Sequence, residues 1–140
     1  MPTGGCACGA IQYAFSSDPH SVLLCNCPAC HLSTNSAFST NLVLPYSSFS
    51  ASGAAPTTWQ RTGKSGQPVT NHFCGVCGTL MWVLPAVLPG TVLVKAGTLH
   101  ERKPLLESEL YRPGVELWAK DRWAWCPSVE GVKKFEEAMS

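Results

Sequence analysis

The chain carries eight cysteines, and seven of them lie in three short clusters whose spacing is typical of metal ligands. In chain order the clusters are Cys6/Cys8, Cys25/Cys27/Cys30 and Cys74/Cys77. The eighth cysteine, Cys126, stands alone between Trp125 and Pro127. Disulfides are a poor explanation for so many thiols in a chain that we expect to be intracellular, because the cytosol keeps thiols reduced. The spacing therefore favours metal binding.

Length, composition and charge exclude several classes of protein. Residues 1–9 have neither a basic leader nor an apolar h-region, and no stretch approaches the roughly 20 apolar residues of a membrane span. We therefore expect a soluble cytoplasmic protein without membrane contact. A net charge of +1 lacks the broad positive field that nonspecific nucleic-acid binding needs. With 140 residues, 45% hydrophobic and 14% charged, the sequence predicts one folded domain over residues 1–140.

Short segments rich in β-branched and aromatic residues, punctuated by Gly and Pro, predict a mainly β fold. The predicted strands are residues 11–15, 37–44, 79–84 and 91–96. Residues 47–66 are polar and have no clear period, which predicts a loop or a weak hairpin. At residues 128–139, Val132, Phe135 and Met139 recur at spacings of three and four. This pattern predicts a short amphipathic C-terminal helix.

Two close cysteine pairs from distant parts of a chain can complete one structural zinc site. Zinc takes four thiolates in a tetrahedron, and a glycine after each pair lets the backbone turn close to the metal. The natural pairing by spacing is Cys6 and Cys8 with Cys74 and Cys77.

The remaining cluster offers three ligands within six residues and no second local pair. Structural zinc sites are usually filled by four protein ligands, whereas catalytic sites offer three and keep one position for water or substrate. Cys25, Cys27 and Cys30 are therefore the candidate reaction centre. Because three thiolates make an electron-rich zinc that acidifies water weakly, a soft thiol substrate is favoured over hydrolysis.

Other assignments of these residues stay open at this level. Cys126 or His31 would complete a second, purely structural four-ligand site. A redox CxxC is a weaker alternative, since neither CxxC opens a helix in a βαβ pattern. Histidine titrates near neutral pH, so His31, which adjoins Cys30, is the candidate general acid or base.

Five longer stretches follow one another along the chain, namely GGCACGAIQY, CNCPACHLSTNSAF, HFCGVCGTLMW, GTL and RPGVELWAKDRWAW. Together they resemble the glutathione-dependent formaldehyde-activating enzyme family, which includes centromere protein V-like proteins. The resemblance covers about residues 4–126. It implies a β-tent of small twisted antiparallel sheets with two zinc ions. The ligands that it implies are Cys6, Cys8, Cys74 and Cys77 for the structural zinc, and Cys25, Cys27 and Cys30 for the catalytic zinc.

The resemblance also implies the joining of glutathione and formaldehyde into S-hydroxymethylglutathione, which makes a carbon–sulfur bond. We therefore predict a zinc-dependent carbon–sulfur lyase that acts on a small thiol adduct such as a glutathione conjugate. One alternative is a zinc Lewis-acid enzyme for decarboxylation, isomerisation or addition on a thiol-free carbonyl or carboxylate metabolite. The other is a non-enzymatic zinc-stapled interaction module. The chain departs from the family pattern at Asn35 and Ser36, where Gly is common, and at His100, where Asp is frequent.

Overall fold

A computed structural model of the chain describes residues 1–138. This part of the chain forms eleven short strands and two short α-helices. In order they are β1 (Thr3–Gly5), β2 (Ile11–Phe15), β3 (Ser21–Cys25), α1 (Pro28–Thr34), β4 (Ser39–Pro45), β5 (Phe49–Gly53), β6 (Thr57–Thr62), β7 (Pro68–Phe73), β8 (Leu80–Pro85), β9 (Thr91–Lys95), α2 (Arg102–Leu106), β10 (Val115–Leu117) and β11 (Lys133–Lys134). The four predicted strands are confirmed as β2, β4, β8 and β9.

The strands form two sheets. Strands β1, β2 and β5 make a three-stranded antiparallel sheet, and the others lie in the order β11-β10-β3-β4-β9-β8-β7-β6. All neighbours from β3 to β6 pair antiparallel, whereas β10 runs parallel to both β3 and β11. The predicted mainly β architecture is therefore confirmed, with a small parallel extension at one edge of the larger sheet.

The core lies between the two sheets. Strand β2 alternates as a half-covered strand should, with Ile11, Tyr13 and Phe15 buried and the residues between them half-buried. The Trp82 ring of β8 meets Tyr13 edge-on, with 6.3 Å between the ring centres. Because such contacts exclude water from both sheets, the smaller sheet is held against the middle of the larger one.

The turn after β6, at one edge of the larger sheet, contacts residues that follow β10 and β11 at the other edge. Lys64, in the turn between β6 and β7, pairs with Glu137 and lies 5.2 Å from the centre of the Trp118 ring, directly after β10. Lys120 contacts the other members of this cluster, Glu137 and Trp118.

Within residues 1–138, no helix has the length and apolar character needed to cross a bilayer.

The predicted C-terminal helix is wrong. Residues 128–138 contain no helix, and Lys133–Lys134 forms β11, which pairs with β10. Gly131 has a φ of +81°, a left-handed conformation that interrupts a helix. Val132 is buried and Phe135 half-buried, so the apolar spacing reflects contacts of an extended segment. Met139, the last residue of the predicted pattern, lies outside the described residues.

The prediction of a loop or weak hairpin for residues 47–66 is also wrong. This segment holds β5 and β6, which pair with β2 and β7 and therefore belong to different sheets. Nearly all of their residues are exposed. A strand without a buried face shows no apolar alternation, and periodicity alone does not reveal it.

Candidate metal centres

The two outer cysteine pairs meet at one point, although Cys8 and Cys74 are 66 residues apart. The four sulfur atoms of Cys6, Cys8, Cys74 and Cys77 lie within 4.8 Å of one another. The Sγ atoms of Cys6 and Cys8 are 3.6 Å apart, and those of Cys8 and Cys74 are 3.7 Å apart. A tetrahedron with Zn–S bonds of about 2.3 Å separates its sulfurs by about 3.8 Å. The group therefore fits one zinc ion.

Each of these pairs lies in a tight turn whose backbone amides face a sulfur. The Ile11 amide donates to Cys6 Sγ at 3.3 Å, and the Val76 amide donates to Cys74 Sγ at 3.4 Å. The first turn joins β1 to β2 and the second joins β7 to β8. A metal held by both turns would tie the smaller sheet to the larger one.

Thr79 connects the two turns. Its hydroxyl accepts from the Ala7 amide at 3.0 Å and lies 3.2 Å from Cys77 Sγ. The hydrogen bond from Thr79 is the main reason that the pKa of Cys77 falls to about 5. Because the thiolate is the form that binds metals, this exposed cysteine is prepared for coordination.

The middle cluster is gathered by a strand-to-helix transition. Cys25 ends β3, and the side chain of Cys27 caps α1 by accepting from the Cys30 amide at 3.3 Å. Pro28 occupies the first turn, where its fixed φ suits the start of a helix. The three sulfurs therefore converge within 4.8 Å of one another. Below, this group is called the cysteine trio.

Crowding perturbs the thiols of the cysteine trio. Hydrogen bonds from Cys25 and Cys27 lower the pKa of Cys30 to about 2, with smaller help from Lys95 and Ser39. Hydrogen bonds with the other two thiols raise the pKa of Cys25. The three sulfurs are thus close enough to exchange hydrogen bonds with one another. A metal cation replaces the thiol protons on binding, and the donor set is one that zinc accepts.

Among residues 1–138, no other His, Cys, Asp or Glu joins the cysteine trio. His31 Nε2 instead bonds to the carbonyl oxygen of Ala37 at 3.1 Å, and its ring packs on Trp123 with 4.7 Å between centres. Cys126 lies against a separate small cavity, which Glu116 also lines. The fourth ligand needed for a closed structural site is therefore not brought to the trio.

A buried carboxylate stabilises the segment of backbone that carries the trio. Glu116 of β10 is only 2% exposed and accepts hydrogen bonds from Asn26 Nδ2 at 2.9 Å, Arg122 Nε at 2.9 Å and Ser128 Oγ at 2.7 Å. Because Asn26 lies between two of the cysteines, this network fixes the backbone that carries them. Glu116 was not among the residues predicted from the sequence, although an acid between two apolar residues of a strand is a usable signal.

Glu116→Gln is expected to lower the free energy of unfolding by about 2–4 kcal/mol, because it breaks a buried pair whose Arg122 partner is partly exposed. Loosening Asn26 should also weaken metal binding at the trio by about 10–100-fold. Denaturant unfolding and zinc competition measure the two effects. Glu107→Gln is the matched control, since Glu107 forms only an exposed pair with Lys103. Unchanged zinc binding in Glu116→Gln would contradict this bracing role.

Two of the positions at which the chain departs from the family pattern, Asn35 and His100, can be located in the structure. Asn35 ends α1 in the left-handed conformation with φ of 50°, which asparagine tolerates better than most residues and which glycine commonly supplies. His100 is exposed and lies 3.0 Å from the Thr3 hydroxyl in the smaller sheet. His72 stacks on Trp82 with 5.3 Å between ring centres, and burial lowers its pKa. Neither histidine joins a cysteine group.

An apolar cleft of about 210 Å³ lies near the trio but on the other face of the sheet. Leu24 and Thr40, which line the cleft, are paired in register, as are Cys25 and Ser39 beside them. Since neighbouring residues of a strand point to opposite faces, the cleft and the trio are separated by the sheet. Tyr111 also lines this cleft, whereas Trp125 is 74% exposed and its ring is tilted against that of Trp123, with 5.5 Å between the ring centres.

Comparisons with known proteins agree with this architecture. No curated protein gave a significant sequence match. Among solved structures, the chain resembles the crystal structure of a Rhodobacter sphaeroides protein from a structural genomics programme, with a TM-score of 0.59 and 18% identity. That alignment covers 74% of this chain and 92% of the other, and it supports the fold alone. The model of the glutathione-dependent formaldehyde-activating enzyme matches residues 1–121, which include all seven clustered cysteines. The chain therefore belongs to the glutathione-dependent formaldehyde-activating enzyme family.

Proposed function

We propose that this chain is a zinc-dependent lyase that makes or breaks a carbon–sulfur bond in a small thiol adduct, such as a conjugate of glutathione. The observation that carries the proposal is the contrast between the two cysteine groups. One presents four sulfurs, whereas the cysteine trio presents three and gains no further ligand from residues 1–138. Family membership supports a glutathione-related substrate and formaldehyde activation.

The two groups are proposed to hold one zinc each, with different roles. Cys25, Cys27 and Cys30 hold the catalytic ion, and the four outer cysteines hold the structural one. When bound at the trio, zinc supplies a Lewis acid that stabilises negative charge on a substrate sulfur. The chain's own residues must then orient the substrate and move its proton.

His31 is proposed to move that proton. A carbonyl oxygen only accepts hydrogen bonds, so His31 Nε2 donates to Ala37 and the lone pair resides on Nδ1. In the joining direction, the proton of the substrate thiol passes to His31 Nδ1. The substrate sulfur then attacks the carbonyl carbon of the second substrate, which is formaldehyde in the reaction that gives the family its name. The carbon–sulfur bond forms as the carbonyl π pair moves to oxygen, which then takes the proton from His31 Nδ1. The reverse sequence breaks the same bond. Packing of the ring on Trp123 limits its rotation.

His31→Gln is expected to lower kcat by about 10²–10⁴-fold, because the amide can still donate to Ala37 but cannot exchange a proton. The zinc content should stay at the wild-type value. Steady-state kinetics over a range of pH would also show loss of one limb of the profile. His20→Gln, at an exposed position, is the matched control and should behave as wild type. A His31→Gln variant with the wild-type kcat and pH profile would remove His31 from the mechanism.

Cobalt substitution at the trio tests the proposed substrate class. With zinc in the four-cysteine group and cobalt in the trio, glutathione should intensify the sulfur-to-cobalt charge-transfer absorption. S-methylglutathione, which has no free thiol, should leave that absorption unchanged. Turnover of the glutathione–formaldehyde adduct is followed in parallel by exchange NMR.

Other results would favour the alternatives. If thiol-free carbonyl or carboxylate metabolites perturb the cobalt spectrum and glutathione does not compete with them, the zinc acts as a Lewis acid on an oxygen substrate. If neither class perturbs the cobalt and a macromolecular partner binds instead, the chain is an interaction module. Either result would contradict the proposed carbon–sulfur chemistry.

A further inference from the structure

A row of polar side chains leads away from the cysteine trio through the middle of the larger sheet. The row consists of Ser39 and Asn41 on β4 and Lys95 at the end of β9. Ser39 is 2% and Asn41 is 3% exposed, whereas Leu42 and Val94 nearby are fully buried. Buried polar side chains are costly unless they are hydrogen-bonded, so their partners are informative.

The three residues are joined by hydrogen bonds that all run in one direction. Lys95 Nζ donates to Asn41 Oδ1 at 2.6 Å, and Asn41 Nδ2 donates to Ser39 Oγ at 2.9 Å. Ser39 Oγ in turn donates to the sulfur of Cys30 at 3.0 Å. Each side chain therefore donates a hydrogen bond to the next one towards the trio. The charged ammonium group of Lys95 lies at the end farthest from the trio. Hydrogen bonds in such chains polarise and strengthen one another.

Strand register explains why these residues meet. Ser39 is paired with Cys25, and Asn41 is paired with Lys95. Since Ser39 and Asn41 are two residues apart, both lie on the face of β4 that carries the trio. Burial lowers the pKa of Lys95, and its attraction to Cys30, Cys25 and Cys27 offsets part of that effect.

We propose that Lys95, Asn41 and Ser39 form a positioning relay that withdraws negative charge from the Cys30 sulfur and so sets how strongly it donates to the metal of the trio. This inference rests on the proposed function, because it requires a metal at the trio. The relay makes Cys30 a weaker donor than it would be without the hydrogen bond from Ser39. It also offsets part of the excess negative charge of a metal held by three thiolates. Lys95 acts here through Asn41 and Ser39 as a positioning residue.

Absorption spectroscopy of the full chain, with zinc in the four-cysteine group and cobalt in the trio, tests the relay directly. Ser39→Ala should move the sulfur-to-cobalt charge-transfer band to longer wavelength, because a thiolate without its hydrogen bond gives up an electron more easily. Zinc competition should show about tenfold weaker binding at the trio, because the excess negative charge of the three thiolates is then no longer partly offset. Ser39→Thr keeps the hydroxyl and should return the band towards its wild-type position.

Lys95→Met should move the band in the same direction, and Lys95→Arg should move it less. Lys103→Met removes an exposed lysine whose side chain is 82% accessible and should leave the band in place. The Ser39→Ala/Lys95→Met double variant should shift the band by less than the sum of the single shifts, because both act through one chain. Denaturant unfolding on the same samples separates this effect from a loss of stability.

The outcomes distinguish the relay from the function on which it rests. Two metals per chain with an unshifted band in Ser39→Ala, or additive shifts in the double variant, would overturn the relay and leave the proposed function standing. If the unaltered chain binds a single metal, at the four-cysteine group, the proposed function fails and the relay fails with it.

Discussion

Cys25→Ser is expected to remove the metal from the trio and to lower turnover by at least about 10³-fold, while the fold and the metal of the four-cysteine group remain. Serine is a poor ligand for zinc, and a trio reduced to two sulfurs no longer competes for the ion. Loss of several kcal/mol of charge stabilisation at the reacting sulfur corresponds to at least a thousandfold in rate. Cys25 ends β3 and is partly exposed, so the substitution leaves the core intact.

Metal counting, exchange NMR and circular dichroism on one preparation measure this outcome. The matched control is Cys126→Ser, which alters a buried cysteine outside both groups and should keep two metals and full turnover. A Cys25→Ser variant that lost its second metal and kept wild-type turnover would contradict the proposed mechanism. A variant that lost both metals and unfolded would show that the trio is structural.

Cys74→Ser should instead unfold the protein. Cys74 is 2% exposed, and its sulfur belongs to the four-cysteine group, whose proposed metal would tie β1–β2 to β7–β8. Structural zinc sites contribute about 10–16 kcal/mol in small domains, which is as large as the whole net stability of a typical domain. We therefore expect the free energy of unfolding to fall by at least about 5 kcal/mol.

Denaturant unfolding and metal counting test this expectation, with Val76→Ser as the control because Val76 lies in the same turn and is 85% exposed. Graded chelation gives an independent comparison. The metal of the trio should leave first without loss of β structure, and the second loss should coincide with unfolding. A folded Cys74→Ser chain with unchanged stability would contradict the structural role of the four-cysteine group.

The fold was predictable from the sequence where strands bury one face or both. Strand β2 shows the alternation clearly, and β8 and β9 are apolar runs between Gly and Pro. Strand β5 has no such pattern, because nearly all of its side chains face water. The helix predicted for the C-terminal segment was wrong for a different reason. Pairing of Lys133 and Lys134 with β10 overrides the local helical pattern. Tertiary pairing of this kind leaves no trace in a single segment.

The cysteine groups were predictable because metal ligands carry their spacing in the sequence. The pairing of the outer cysteines and the isolation of the trio both follow from distances along the chain, and the structure brings the same sulfurs together. The residues that surround the cysteine trio were not predictable in this way. Asn41 meets Lys95 because the two are paired between β4 and β9. Glu116 reaches the Asn26 side chain because β10 runs beside β3. Two signals were available, namely a polar Ser-x-Asn alternation at the start of β4 and an acid between two apolar residues in β10.

The proposed function requires that a metal at the trio keep one coordination position free of protein ligands. A crystal structure of the zinc-loaded chain, determined with and without glutathione, measures this most directly. We predict three bonds to zinc from Cys25, Cys27 and Cys30 and a fourth from water, which the glutathione sulfur replaces. A fourth bond from Cys126, His31 or another side chain of the same chain, unchanged by glutathione, would contradict the claim.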